Sequence, residues 1–291
     1  MRTIPRASQP GGDGYLVPRT ADWRLRDTLH LDVHGLSETG AVRPSNDDAF
    51  LIADIATYAS DDHPRGTSVP LVAVADGVAG QIGGGRASRL VIRTLVHEAM
   101  TRGRQHAWTP TRDAAAIGQS LAEAVHACQQ AVMRCGSAQH ALARMATTLT
   151  VGLVCGRTLH VAHVGDSRCY LRRHDTLVQV TADQTVARVL ERAGVDVSAD
   201  SGLHHILANA LAANGESVDV ETHRVTVDAG DAFVFCTDGL TRVVSDEEIL
   251  DVLSREESAK AASRQLVRRA LVGGGPDNVT VVVGRVRAGG R

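Results

Sequence analysis

The chain has 291 residues, of which 43% are hydrophobic, and a formal net charge of −2. This length allows one large domain or two small ones, and the near-neutral charge gives no field that favours nucleic acid or an acidic membrane. Lys260 is the only lysine, which excludes the phosphate-binding lysine of ATP-hydrolysing P-loops. The five cysteines form no Cys-x-x-Cys pair, and no apolar run reaches the ~18 residues of a membrane span. We therefore expect a soluble, cytoplasmic protein.

The N-terminal part divides into an extension and the start of a domain. Residues 1–28 carry three prolines and three glycines without periodicity, which predicts a mostly disordered extension before a domain over 29–287. From Leu29 apolar and polar residues alternate as in a half-buried strand, and 49–53 is predicted to be its partner. Helical spacing then predicts two helices, over 87–98 and from an N-cap at Asp113.

The second half of the chain is rich in predicted strands. We predict two hairpins, which pair 147–154 with 159–164 and 221–227 with 232–237. A strand at 169–172 is predicted to continue the sheet of the first hairpin. Between them, 184–193 is predicted to be a helix and 194–217 a surface excursion of a length that often carries specificity.

The last predicted elements are two helices and a strand. Ser245 and Glu248 form the pattern of a capping box at the start of one helix, and 259–271 is the second. The order of strands, two helices, many strands, two helices and a last strand predicts an α+β fold. We expect a four-layer αββα sandwich, in which two stacked antiparallel sheets are flanked by pairs of helices.

Three chain segments predict an acidic cluster. The apolar runs 71–77 and 233–239 both end in Asp-Gly, and a glycine-rich loop followed by Asp277 precedes the last strand. If these ends meet, Asp76, Asp238 and Asp277 lie together. Two carboxylates ~4 Å apart repel by roughly 4 kcal/mol at an effective dielectric near 20, so such a cluster needs cations. Oxygen-only ligands favour Mg²⁺ or Mn²⁺, whereas in the alternative interpretation each Asp-Gly is an ordinary turn.

The segment 43–48, Arg-Pro-Ser-Asn-Asp-Asp, adds further charged groups just before the strand at Ala49. Asp47 and Asp48 point to opposite sides in a strand-like context, so one can reach the metals while the other contacts a bound water or braces the loop. The planar guanidinium of Arg43 suits a substrate phosphate. Taken alone, such a loop is also typical of a solvated surface.

With these motifs the chain resembles the metal-dependent protein phosphatases of type 2C over about Leu29 to Val286. Six motifs occur in the order of that family. They are Arg-x-x-Asn-acid-Asp at 43–48, Val-Ala-Asp-Gly at 74–77, Met-Ala-Thr-Thr at 145–148, Gly-Asp-Ser-Arg at 165–168, Thr-Asp-Gly-Leu at 237–240 and Asp-Asn-Val-Thr at 277–280.

The resemblance implies hydrolysis of phosphoserine or phosphothreonine in proteins by a water that bridges two Mn²⁺ or Mg²⁺ ions. Its substrates would be targets of a bacterial serine/threonine kinase and the kinase itself, with no nucleic-acid or membrane partner, and the protein would be a monomer. The residues that the resemblance implies for catalysis are Arg43, Asp48 and Asp76, with Arg43 binding the phosphate. The implied metal ligands are Asp76, the Gly77 carbonyl, Asp238, Asp277 and, through water, Asp47. Asn46, Asp166 and Asn278 would support these ligands.

The chain also departs from the family pattern. Asp47 stands where the family usually has glutamate, and Val78 where some members have a histidine that could protonate the leaving oxygen. Many bacterial members hold a third metal with an acid before the Met-Gly-Thr-Thr motif, but this chain has none between Glu123 and Asp166. The third metal site is therefore doubtful, and these departures keep open the alternative of a catalytically weak scaffold with the phosphatase fold. A two-metal nuclease or phosphodiesterase is a second alternative, but it would need a basic groove that the net charge does not support.

The motif at 165–168 allows two interpretations. We favour a turn in which Asp166 and Arg168 bond to backbone, and the alternative places it near the metals.

Overall fold

The computed structural model describes residues 19–25, 29–55, 69–78, 83–105, 107–109, 112–199, 201–214 and 217–289. Two antiparallel sheets stack on each other in this part of the chain. The six-stranded sheet has the order β1 (Thr20–Leu25), β2 (Leu29–Glu38), β13 (Val279–Ala288), β12 (Ala232–Cys236), β8 (Arg168–Arg173) and β9 (Thr176–Gln179). The five-stranded sheet has the order β11 (Glu221–Thr226), β7 (Thr158–Val164), β6 (Leu149–Cys155), β4 (Pro70–Ala75) and β3 (Ala49–Asp54).

Helices and short elements complete the described structure. The short strands β5 (Ala146–Thr147) and β10 (Leu211–Ala212) pair with each other, and 3₁₀ turns lie at His140–Leu142 and Gly202–His205. The α-helices are α1 (Gly84–Arg104), α2 (Ala114–Ala138), α3 (Val186–Arg192), α4 (Asp238–Thr241), α5 (Asp246–Arg255) and α6 (Ala259–Val272). None of the helices in the described ranges combines the length and the apolar content that a bilayer span requires.

The core has three layers of apolar side chains, which confirms the predicted four-layer sandwich. Strand β4 illustrates this layering, because all of its residues are buried. Leu71 and Ala73 pack in a cluster with α1 and α2, whereas Val72 and Val74 pack with Phe233 and other residues between the two sheets. A third cluster joins the six-stranded sheet to α5 and α6. A strand covered on both faces is apolar throughout, as the sequence of β4 is.

Several local predictions are confirmed. The apolar face of α2 is buried, although the N-cap residue Asp113 makes no side-chain cap bond. Ser245 and Glu248 form the capping box of α5 through both of their side chains. Strands β6 and β7 form the predicted hairpin.

Four predictions about strands are wrong. Residues 20–25 form β1 rather than part of an extension, because they pair with β2; residues 1–18 and 26–28 lie outside the described residues. Strand β3 pairs with β4, and β8 belongs to the sheet opposite β6 and β7. Strands β11 and β12 are in different sheets and form no hairpin. Alternation of polar and apolar residues identifies the buried face of a strand but not its partner.

Candidate active site

Four aspartates come together at one end of the stacked sheets. Asp48 precedes β3 and Asp76 follows β4, and the register that pairs Ala49 with Ala75 brings these two ends side by side. In the other sheet, Asp238 follows β12 and Asp277 precedes β13, which are paired antiparallel. The two pairs meet, because the carboxylate of Asp48 accepts hydrogen bonds from Thr237, next to Asp238, and from Thr280, near Asp277. The predicted cluster of strand ends is therefore present.

The glycines of the two Asp-Gly pairs allow backbones to approach closely. A Cβ atom on Gly77 would overlap the backbone of Gly84, at the start of α1, and the carbonyl of Asp47. A Cβ atom on Gly239 would overlap the carbonyl of Asn278. These glycines let the loop before β3, the start of α1 and the start of β13 pack directly against the strand ends. Neither pair is the ordinary turn of the alternative interpretation.

The Met-Ala-Thr-Thr motif holds the backbone of Asp76. The Thr147 hydroxyl donates to the carbonyl of Asp76 at 2.7 Å, and the N–H of Asp76 donates to Thr148 Oγ1 at 2.9 Å. Thr148 Oγ1 lies in turn 2.7 Å from Ser167 Oγ, within the 165–168 motif. The two threonines therefore fix the position from which the Asp76 carboxylate projects, although the sequence analysis assigned them no function.

Asp48 links the two sheets through its carboxylate. Its Oδ2 atom accepts hydrogen bonds from Thr237 Oγ1 at 2.9 Å and Thr280 Oγ1 at 2.6 Å. Its Oδ1 atom is buried and has no partner in the described part of the chain. Burial raises the pKa of Asp48 to about 7, against the effect of the two hydroxyl donors, which favour the carboxylate.

Asp166 belongs to the same cluster. It is buried, and loss of water together with the negative charge of Asp238 raises its pKa to about 7. Desolvation also raises the pKa of Asp76 well above its usual range. Arg168 does not bond to backbone, because it donates to both carboxylate oxygens of Asp183 at 2.8 and 2.7 Å. The prediction that Arg168 bonds to backbone is therefore wrong, whereas the carboxylate of Asp166 does have a backbone hydrogen bond.

Two arginines contact the carboxylates of the six-stranded sheet. Arg43 donates from Nε and Nη2 to the two oxygens of Asp277, at 2.9 and 2.8 Å. Arg242 donates from Nε to Oδ2 of Asp238 at 2.7 Å and lies 3.6 Å from Asp277. Arg242 was not among the site residues predicted from the sequence. The available signal was its position four residues after Asp238, which places both side chains on one face of a helix.

Two asparagines support the loop that carries Asp47 and Asp48. Asn278 Oδ1 accepts the N–H of Asp47 at 2.8 Å, and its Nδ2 donates to the carbonyls of Thr39 and Ser45, each at 2.8 Å. Asn46 Oδ1 accepts the N–H of Asp48 at 3.1 Å. These bonds join the loop to the beginning of β13.

The carboxylate of Asp47 lies beside helix α1. A Cβ atom on Gly85 would overlap its Oδ1 atom, so this oxygen lies against the first turn of α1. The charges that raise the pKa of Asp76 most are those of Asp48, Asp238 and Asp166. Contact of Asp47 with a metal through water remains a prediction.

The donor set is suited to hard divalent cations. As the side chains stand, no group of three or more His, Cys, Asp or Glu residues within the described ranges is arranged to hold an ion. However, Asp48 Oδ1 and Asp238 Oδ1 are buried without a hydrogen-bond partner in those ranges. An unpartnered buried carboxylate oxygen is costly unless a cation or donor reaches it. Oxygen ligands favour Mg²⁺ and Mn²⁺, and Arg43 and Arg242 would have to turn away from Asp277 and Asp238 to admit them.

A comparison of the chain with models of known protein families shows to which family it belongs. A family model described as protein phosphatase 2C matches residues 45–272. The chain belongs to the protein phosphatase 2C family. The match includes Asp47, Asp48, Asp76, Asp166 and Asp238 and ends just before Asp277.

Individual members of the protein phosphatase 2C family agree with this result. The chain is 36% identical over 267 residues to the serine/threonine protein phosphatase PstP of Mycobacterium tuberculosis, which covers 90% of this chain and 46% of PstP. It is 31% identical over 221 residues to the serine/threonine phosphatase stp of Listeria welshimeri, with 74% of this chain and 83% of that protein covered. The chain thus spans about half the length of PstP.

A solved structure in the family has the same fold. The catalytic domain of the protein phosphatase PstP in complex with two manganese ions superposes with a TM-score of 0.70 and 34% sequence identity. The superposition covers 89% of this chain and 100% of that domain.

One departure from the family motifs has a simple structural account. Ala146, at the position of the motif glycine, uses its carbonyl to accept the N–H of Val78 at 3.1 Å. Because this bond involves only backbone atoms, alanine can make it as glycine would.

Proposed function

We propose that this chain is a metal-dependent serine/threonine protein phosphatase that hydrolyses phosphoserine and phosphothreonine in proteins. The observation that carries the proposal is the meeting of Asp48, Asp76, Asp238 and Asp277 beside Arg43 in a member of the protein phosphatase 2C family. A dense group of ionised carboxylates is unfavourable in the folded protein, because burial and mutual repulsion oppose ionisation. It becomes favourable when divalent cations bind it.

Two Mn²⁺ or Mg²⁺ ions are the proposed cofactors. Asp76 and the Gly77 carbonyl, with Asp238 and Asp277, would hold them, and Asp47 would contribute through water. The manganese ions in the PstP catalytic domain support this assignment. When bound, such ions lower the pKa of water and neutralise charge on a phosphoryl group.

The protein groups around this centre have separate tasks. Thr147 and Thr148 hold the backbone that projects Asp76, and the hydroxyls of Thr237 and Thr280 orient Asp48. The Arg43 side chain is 35% exposed, so its guanidinium is accessible to a substrate phosphate once it leaves Asp277. Its planar fork binds two phosphate oxygens at once.

The proposed substrates are phosphorylated proteins, because the PstP and stp relatives are serine/threonine phosphatases. Targets of a bacterial serine/threonine kinase, and the kinase itself, are the proposed sources of these phosphoproteins, and the proposed state is a monomer.

Phosphate release from a phosphothreonine peptide tests this proposal. Turnover should require Mn²⁺, stop with EDTA and collapse in Asp238→Asn. Asp175→Asn is the matched control, because Asp175 is exposed in the turn between β8 and β9. No turnover by folded wild-type protein that binds Mn²⁺, measured by calorimetry, would overturn the proposal.

One observation favours the scaffold alternative. Arg43 and Arg242 already neutralise two of the carboxylates, so a phosphatase-fold protein could keep this arrangement without turnover. The same peptide experiment decides between the two, because a scaffold protein would bind the phosphopeptide without releasing phosphate.

A further inference from the structure

A cleft of about 320 Å³ opens beside the acidic cluster. We call it the side cleft. It is lined by the buried Asp166 and Asp238 with Arg242, and by Arg188, His204 and His205, which we call its outer end because Arg188 and His205 are exposed. The ion pair of Arg168 and Asp183 also lines it. A ligand group in this cleft would therefore lie next to a substrate residue whose phosphate is at the carboxylates.

The outer end of the side cleft carries one guanidinium and two imidazoles, and one of these, His204, already places its Nε2 atom 3.1 Å from the Ser198 carbonyl. The Arg168 guanidinium is fully engaged, since it binds both oxygens of Asp183 and donates to Tyr170 Oη at 2.7 Å. Arg188 differs, because its side chain is 54% exposed and its ion-pair partner is Glu191, three residues further along α3, at 3.0 Å. Such an exposed pair is weak and exchanges readily for another anion.

The two walls of the outer end are joined by backbone bonds. The N–H of Val186 donates to the carbonyl of Ile206 at 2.8 Å, and Thr185 and Leu207 form an isolated β-bridge. These contacts tie the helix that carries Arg188 to the segment that carries His204 and His205. The basic groups are thus held in one arrangement rather than displayed on independent loops.

We propose that the side cleft binds a carboxylate side chain of the substrate, close in sequence to the phosphorylated residue. The cleft would make the enzyme selective for phosphorylation sites in acidic sequences. This inference rests on the proposed phosphatase function and adds the substrate class. A cleft of this size is at the lower limit of ligand sites and fits side chains rather than a cofactor. A guanidinium and neighbouring imidazoles are suitable donors for a carboxylate.

The test compares two phosphothreonine peptides that differ only in having Glu or Gln around the phosphorylated residue. With Mn²⁺, wild-type protein should have a higher kcat/KM for the Glu peptide, by about threefold to tenfold, the range of a few partly exposed charge contacts. Arg188→Gln should reduce that ratio towards one. Arg192→Gln is the matched control, since Arg192 is exposed on the same helix but does not line the cleft, and should keep the ratio.

Three outcomes would overturn the inference. The first is a wild-type ratio of one, and the second is an equal loss in Arg188→Gln and Arg192→Gln. The third is a preference for a second phosphoserine at the flanking position over Glu that disappears in Arg188→Gln, which would make the ligand a phosphate instead.

Failure of the proposed function would look different. Neither peptide would then be hydrolysed, while fluorescence anisotropy of the two peptides would still show whether the cleft prefers Glu over Gln and whether Arg188→Gln removes that preference.

Discussion

Arg43 and Asp277 form a two-pronged ion pair, with Nε and Nη2 of the arginine 2.9 and 2.8 Å from the two carboxylate oxygens. Both groups have proposed roles in catalysis, one with the phosphate and the other with a metal. Neither can take up its role while the pair is intact. Arrival of a cation at Asp277 would therefore release Arg43 for the substrate, so metal binding and phosphate binding should support each other.

Arg242 should weaken metal binding, because its guanidinium competes for the Oδ2 atom of Asp238. We expect Arg242→Gln to bind Mn²⁺ about threefold to tenfold more tightly, as measured by titration calorimetry, which corresponds to roughly 0.7 to 1.4 kcal/mol. Arg255→Gln is a control with the same spacing, since Arg255 pairs with Asp251 four residues earlier on α5 and is far more exposed. Unchanged or weaker binding in Arg242→Gln would contradict the competition.

Stability without metal should fall as the pH rises. Burial raises the pKa of Asp48 and of Asp166 from 3.8 to about 7, so the folded protein retains protons that the unfolded chain loses between about pH 4 and pH 7. Their contribution to stability is therefore complete below pH 4 and is lost as the pH passes 7. In EDTA we expect Tm to decrease by several degrees from pH 5.5 to pH 8.

Manganese should remove much of that decrease, because a bound cation replaces the protons. Thermal unfolding with and without Mn²⁺ across the same pH range checks this, and Asp166→Asn should flatten the EDTA profile. A Tm that rises with pH in EDTA would show that other groups dominate the titration.

Gly239→Ala should damage both the fold and the site. The added methyl group would overlap the Asn278 carbonyl, so we expect a loss of about 1 to 3 kcal/mol in the free energy of unfolding and weaker Mn²⁺ binding. Gly118→Ala is the matched control, because a Cβ atom there meets nothing within 4 Å on α2. That change should stabilise the protein by about 0.5 to 1 kcal/mol. Denaturant unfolding measures both, and equal effects would show that the close approach at Gly239 is unimportant.

Thr148→Val should lower both activity and stability. It removes the acceptor for the N–H of Asp76, at a cost of about 1 to 3 kcal/mol if that group stays unpaired, and frees the backbone that positions the carboxylate. We expect a fall in kcat of about tenfold or more with Mn²⁺ at saturation. Thr94→Val, which loses only a bond to the Leu90 carbonyl within α1, should keep kcat.

The sequence predicted the architecture and the acidic cluster because both depend on strong local signals. Buried strands such as β4 and β12 read as apolar runs, and Asp76 and Asp238 mark where they end. Strand partners depend on contacts between distant segments, so the sequence did not show that the short connection from β11 to β12 crosses from one sheet to the other. Arg242 was missed because α4 spans only four residues, too few for helical periodicity.

The cross-sheet bonds of Asp48 to Thr237 and Thr280 carry a consequence for folding. Asp48 and Asp76 arrive on one sheet, and Asp238 and Asp277 on the other. A folding intermediate with a single formed sheet would hold half of the carboxylates and would have little affinity for divalent ions. Cation affinity should therefore appear late in refolding, at the step in which the sheets dock, and bound ions would then slow the separation of the two halves.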